Sequence, residues 1–190
     1  MLIRLTRQRG VTLIELLIGF ALIGILTVMA IPAYQGFMRN AEIRNTAETL
    51  VNGIQTARVE AIRRNAAVEI ILGPGTGWTI QLPATGEQVE QHPDGVGSGT
   101  ATVVINDLDN DWVTDDADAD RMTFNGMGWR IPNSDSSPLI SRMDVFNTTA
   151  GTCKHDAGGT LRCLRLVVST GGGSKMCDPA VASGDSRACP

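Results

Sequence analysis

Aromatic residues are scarce in this sequence, at 4% of 190 residues. Platforms on which nucleobases could stack are correspondingly few. Histidine is scarcer still. Only His92 and His155 occur, neither in a recognisable motif, so a histidine-based triad is not legible and zinc is a poor fit. The four cysteines include no Cys-x-x-Cys. Gly171-Gly172-Gly173 lacks the Lys-Ser/Thr context of a phosphate loop. Basic charge is not in excess: the formal net charge is -4, which argues against generalised nucleic-acid binding while leaving room for a local basic patch. Nothing in these residue types supports an enzyme.

Apolar residues are abundant, but in one place. Val11 to Ile31 is interrupted by only three notably polar residues, Thr12, Glu15 and Thr27. As a helix, this run would span roughly 30 Å, about the hydrocarbon thickness of a bilayer. Arg4, Arg7 and Arg9 precede it with no acidic residue beside them, so the N-terminus is expected on the cytoplasmic side. An ordinary secretory signal would carry small residues and a cleavage site after its apolar run. Here the run flows into a further helical pattern, and the small residue, Gly10, stands before it. Pro32 ends the run; it removes a backbone donor and can kink a helix. Glu15 is the anomaly, because a carboxylate within an apolar stretch is costly unless paired. Either it snorkels to the membrane surface, or it awaits a positive partner from another subunit.

Gly10-Val11-Thr12-Leu13-Ile14-Glu15 resembles the type IV prepilin signature: a basic leader ending in Gly, then an apolar residue, Thr, Leu, an apolar residue and Glu. The resemblance implies that a prepilin peptidase cuts between Gly10 and Val11 and methylates the new amine. It implies that Glu15 neutralises the N-terminal amine of a neighbouring subunit, and that Pro32 belongs to the assembling helix. Val11 departs from the family's usual Phe at that position.

Beyond Pro32 a helical pattern continues to about Arg64. Ile43, Ala47, Leu50, Ile54, Ala57 and Ala61 recur every three to four positions, with Arg39, Glu42, Arg44, Glu48 and Arg58 off that stripe. Val11 to Arg64 would form a helix about 80 Å long. The remainder reads as β. Strands are expected at 67–72, 78–82, 101–105, 121–124, 143–146 and 161–169, separated by Gly and Pro clusters. The first two should form a hairpin across Gly73-Pro74-Gly75-Thr76-Gly77. The stretch Ala57 to Asn65, Gly77-Trp78, Thr123 to Gly128 and Leu164 to Ser169 is similar to the GspH/FimT/FimU branch of minor pilins and pseudopilins. The expected fold class is α+β, the pilin fold. A long N-terminal helix, transmembrane in its first half and amphipathic in its second, packs on a C-terminal antiparallel β domain. The expected organisation is a leader over 1–10, a transmembrane or filament-core helix over 11–32, an amphipathic helix over 33–65, and a β-rich domain over 66–190 with a disulfide-stapled end.

Cys153, Cys163, Cys177 and Cys189 form an even set in an exported chain, which reads as two disulfides made in an oxidising compartment. Three pairings are open. Cys153 and Cys163 are symmetric about Gly158, so a hairpin there would favour Cys153–Cys163 and leave Cys177–Cys189 to tie down the tail. An acidic segment offers Asp107, Asp109, Asp111, Asp115 and Asp118 at positions 1, 3, 5, 9 and 12 of a calcium loop. Against that, Trp112 stands where the loop needs Gly, position 12 is not Glu, and no helix pair flanks it. A solvated acidic loop is the preferred reading, and no cofactor is expected apart from this Ca²⁺ alternative. Minor pilins that bind DNA carry Gly-Arg-x-Arg near the last strand, where this chain reads Gly172-Gly173-Ser174-Lys175. Arg162, Arg165, Lys175 and Arg187 could still cluster as a phosphate contact, but DNA is not the favoured partner.

The resemblance implies a minor pilin at or near the tip of a type IV pilus, promoting assembly and hence twitching motility or adhesion. A type II secretion pseudopilin and a DNA-uptake minor pilin are the alternatives. The implied partners are other pilins, prepilin peptidase and the inner membrane. The subunit would lie in the inner membrane before assembly. Afterwards it would lie in an extracellular pilus or a periplasmic pseudopilus.

Overall fold

The structure is a computed structural model that describes residues 11–96, 99–106, 119–147, 149, 151–155 and 158–190. Its first element is α1, Leu13–Arg64. The helix begins where Thr12 caps it: Thr12 Oγ1 accepts the Glu15 N–H at 3.3 Å, and the Thr12 carbonyl accepts the Leu16 N–H at 3.2 Å. Thr-x-x-Glu is the sequence form of a capping box, with the acid also placed favourably for the helix dipole. The helix ends in a Schellman motif. Ala66 N–H reaches the Ala61 carbonyl and Asn65 N–H the Ile62 carbonyl, both at 3.2 Å. Asn65 takes the left-handed conformation this requires, with φ 49°. Arg63 and Arg64 fill the last turn, where positive charge suits the dipole. Pro32 lies inside α1 and does not terminate it. Its missing N–H costs one hydrogen bond, which the many remaining intrahelical bonds outweigh.

The chain divides into two compact units, Met1–Phe37 and Met38–Pro190. The second holds the core. Ile43, Ala47, Leu50, Ile54, Ala57 and Ala61, the apolar stripe of α1, are all essentially inaccessible and join one cluster with the strands. At Gly53 a β carbon would lie 2.8 Å from Trp78 Cε2 and 3.0 Å from Ile70 Cδ1. Only glycine lets the helix come this close to the sheet.

Among the described residues nine strands follow: β1 Val68–Leu72, β2 Trp78–Gln81, β3 Gln88–His92, β4 Thr102–Asn106, β5 Arg121–Phe124, β6 Arg130–Ile131, β7 Arg142–Phe146, β8 Leu164–Val168 and β9 Ser174–Cys177. They form a five-stranded sheet, β3-β2-β1-β5-β6, and a four-stranded sheet, β4-β7-β8-β9. Every pairing is antiparallel. The expected β1–β2 hairpin pairs Leu72 with Trp78 and Glu69 with Gln81. Alternation assigns the faces. Ile70, Ile80, Met122 and Phe124 from one sheet, and Met143, Val145 and Leu166 from the other, are buried in the core cluster. Three strands lie outside the sequence expectation, β3, β6 and β9, and all three are sheet edges. His92 is the last residue of β3, with its ring stacked on Trp78 at 5.6 Å between centroids.

Candidate assembly site

In the first unit, α1 is apolar on all sides. Every large apolar side chain that the structure describes there as exposed, from Val11 to Phe37, lies between 49% and 77% accessible. Water is a poor solvent for such a surface, which suits lipid or packing against other apolar helices. The polar groups in the run are handled locally. Thr27 Oγ1 donates to the Ile23 carbonyl at 2.7 Å, which satisfies the hydroxyl without water. Glu15 is different. It sits in the first turn, and its carboxylate has no hydrogen-bond or ion-pair partner among the described residues. A carboxylate at the end of an apolar stretch is stabilised by a cationic partner. Val11 is exposed just ahead of the helix, and Gly10 lies outside the described residues.

In the second unit the structure joins Cys153 to Cys163 and Cys177 to Cys189, with Cα atoms 5.5 and 5.0 Å apart. The first loop is not the antiparallel hairpin expected around Gly158. Cys153 forms a parallel bridge with Leu161. Lys154 N–H donates to the Leu161 carbonyl at 2.8 Å, and Leu161 N–H to the Thr152 carbonyl at 3.2 Å. The second loop pins the C-terminal tail beside β9, where Asp178 N–H meets the Arg187 carbonyl at 2.8 Å. The bonds close loops with sequence separations of 10 and 12. Opening either one is expected to destabilise this unit by about 3 kcal/mol through chain entropy. Thermal melting of Cys177→Ser/Cys189→Ser against the parent chain measures it, and an unchanged midpoint would contradict a structural role for that bond.

The four cations considered for phosphate binding are mostly engaged. Arg162 reaches Asp178 Oδ2 through Nη2 at 2.8 Å. Arg165 grips Asp144 twice, at 2.7 and 3.1 Å. Arg187 holds Asp185 at 2.8 and 3.1 Å, and those hydrogen bonds pull the Asp185 carboxyl down to about 2. Lys175 is exposed on β9 opposite Val167. Three of the four guanidinium or ammonium groups thus sit beside their own carboxylate; for Arg162 and Arg165 it comes from a distant segment, which sequence spacing does not reveal. Asp107, Asp109, Asp111, Asp115 and Asp118 lie outside the described residues. Among the described residues no group of three or more His, Cys, Asp or Glu could hold a metal ion. Thr12, the helix cap, is a residue that sequence reasoning about function passes over. Its signal is the Thr-x-x-Glu spacing ahead of an apolar run.

A family model described as "Type II transport protein GspH" matches residues 46–172, about two thirds of the chain. The chain belongs to this family. A second model, the prokaryotic N-terminal methylation motif, matches residues 5–31 and implies prepilin-peptidase processing. The GspH-family chain is similar to a fimbrial protein of Moraxella nonliquefaciens, 48% identical over 50 residues, which are 26% of this chain and 32% of that protein. It is also similar to the prepilin peptidase-dependent protein D of Escherichia coli K12, 44% identical over 45 residues, 24% of this chain and 31% of that one. The match spans about a third of the length of these curated relatives. Among solved structures, the type IV minor pilin FimU of Pseudomonas aeruginosa PAO1 superposes with a TM-score of 0.52 at 20% identity. That match covers 78% of this chain and 98% of FimU, and it shows a shared fold. The chain is therefore a GspH-family protein that carries the N-terminal methylation motif and shares the fold of the type IV minor pilin FimU.

Proposed function

We propose that this chain is a minor subunit of a type IV pilus, placed at or near the tip, where it helps start assembly and so supports twitching motility or adhesion. The observation that carries this reading is the exposed, all-round apolar stretch of α1 with a carboxylate in its first turn that has no partner among the described residues. In this reading the peptidase cuts between Gly10 and Val11 and methylates the new amine. The apolar helix first holds the subunit in the inner membrane. It then moves into the filament core, where Glu15 meets the amine of a neighbour and the helix around Pro32 packs among other helices. The β-rich unit faces outward, its tail secured by the Cys177–Cys189 bond. The engaged arginines weigh against a DNA-uptake role, since their carboxylates would have to be displaced before phosphates could bind.

A pseudopilin of a type II secretion system is a second reading, favoured by the description of the matching family model. One experiment separates the two. Immunogold labelling of an epitope on the tail is expected to give a few particles near one end of each pilus. Labelling along the whole filament would overturn the tip placement. Loss of secretion with normal piliation after deletion would favour the pseudopilin.

A further inference from the structure

Beyond residues 11–37, exposed large apolar side chains are few among the described residues, and four of them meet in one place. Val59 and Ile62 are 59% and 49% exposed, Met127 and Trp129 72% and 61%. Val59 and Ile62 are three residues apart on α1 and share one face. Met127 and Trp129 flank Gly128 in the turn between β5 and β6. A β carbon at Gly128 would lie 2.8 Å from Ile62 Cδ1 and 3.0 Å from Arg58 Nε, so the two pairs adjoin.

The turn is held from several sides. Asn125 Oδ1 accepts the N–H groups of Met127 and Trp129, each at 3.0 Å. Arg58 Nε donates to the Gly128 carbonyl at 3.0 Å. Gly172 packs against that carbonyl, and Gly126 against Asn65, each too closely for a side chain. Gly128 itself has φ +76°. A stiff turn that displays Met and Trp to water presents anchors with little ordering entropy left to lose on binding.

Charge adds a second, independent signal. Arg44, Arg63, Arg64, Arg121, Arg162, Arg165 and Arg187 each contact a carboxylate. Arg58 and Arg130, which border the turn, contact none among the described residues. Arg130 Nη1 donates to the Val168 carbonyl at 3.0 Å, while its Nε and Nη2 are buried without a hydrogen bond. Burial without a counter-charge pushes its pKa down. In a chain with net charge -4, these two arginines without acidic partners thus border its apolar patch.

We propose that Val59, Ile62, Met127 and Trp129, bordered by Arg58 and Arg130, form the docking surface for the outward-facing part of a different pilin-type subunit. That subunit seats an apolar side chain against Trp129 and brings a carboxylate to Arg58. The proposal rests on the filament-subunit reading above. Symmetric self-pairing of the patch is disfavoured because it would gather two Arg58 and two Arg130 side chains in one interface whose four apolar residues supply no carboxylate. A nucleic-acid strand fits poorly, because one tryptophan is a meagre stacking platform and the buried nitrogens of Arg130 cannot reach phosphates.

The test places a photo-crosslinking amino acid at Met127 in the full chain, expressed in filament-producing cells. The expected result is an adduct that mass spectrometry identifies as another pilin-type subunit, with Asp or Glu near the linked residue. Trp129→Glu should cut its yield by about tenfold or more while Trp129→Phe retains it. The same probe at the exposed Val96 should not give this adduct. An adduct with a second copy of this chain, with nucleic acid, or with nothing would overturn the proposal, as would indifference to Trp129→Glu in a variant that melts like the parent. Recovery of the chain from sheared filaments is measured in parallel. A chain present in filaments but giving no adduct removes the docking surface and leaves the subunit reading standing. An identified adduct from a chain that never enters filaments supports the surface and removes the filament placement instead.

Discussion

A chain carrying Glu15→Ala is expected to insert into the membrane normally and yet to be depleted from sheared filaments by roughly 100-fold or more. The depletion follows from the carboxylate's isolation. Among the described residues Glu15 has no partner, and every large neighbour along the run is apolar. Membrane insertion should not suffer, since losing a charge makes the run more apolar. Assembly differs, because packing such helices together removes water and lipid headgroups from the N-terminal ends. A neighbour's amine would then be buried with no counter-charge. Removing one member of a buried pair costs about 3–5 kcal/mol, and each ~1.4 kcal/mol is a factor of ten. Immunoblots of sheared filaments and of membrane fractions from the same cells measure both quantities. Parent-level incorporation of the variant would remove the assigned role of Glu15. A loss from the membrane fraction as well would point to an insertion defect.

The second large effect concerns stability. Asp144→Ala is expected to destabilise the second unit by about 3–5 kcal/mol. Asp144 on β7 and Arg165 on β8 are cross-strand partners, bonded at 2.7 and 3.1 Å. Their side chains are only 4% and 12% exposed, so water cannot replace the lost carboxylate. Arg142 Nε lies 3.9 Å from the same carboxylate, and its environment worsens too. Replacing both partners, Asp144→Leu with Arg165→Met, should recover the part of the loss that comes from leaving Arg165 unpaired, because a well-packed apolar pair has no charge to solvate. Denaturant unfolding of the single and double variants checks both statements. A loss below about 1 kcal/mol for Asp144→Ala would place the pair among ordinary surface ion pairs.

The features of this protein that depend on residues near one another in the chain are legible in its sequence. The apolar run, the lone Glu15 and the Gly10-Val11 junction are contiguous. The stripe Ile43, Ala47, Leu50, Ile54, Ala57, Ala61 is a periodicity of one helix, and those residues are buried. The hairpin across Gly73 to Gly77 is announced by its turn residues. Strands that pack on the core carry alternation or β-branched runs, and they lie near their expected bounds. What the sequence hides is settled by partners far away in the chain. Strands β3, Gln-Val-Glu-Gln-His, and β9, Ser-Lys-Met-Cys, are edge strands with little apolar signal, and β6 has two residues. They are strands because a neighbour offers hydrogen bonds, not because their own residues demand it.

Non-local placement likewise chooses among the three cysteine pairings, and it gives Arg162 and Arg165 the carboxylates that occupy them. It also brings Arg58, Ile62, Met127 and Trp129 together from two segments more than sixty residues apart. Sequence by itself determined the apolar run and the N-terminal methylation motif, because each is a pattern of consecutive residues. Which charges are neutralised, which cysteines meet and which apolar side chains stay uncovered belonged to the tertiary structure alone, because each depends on what another part of the chain delivers to the same point in space.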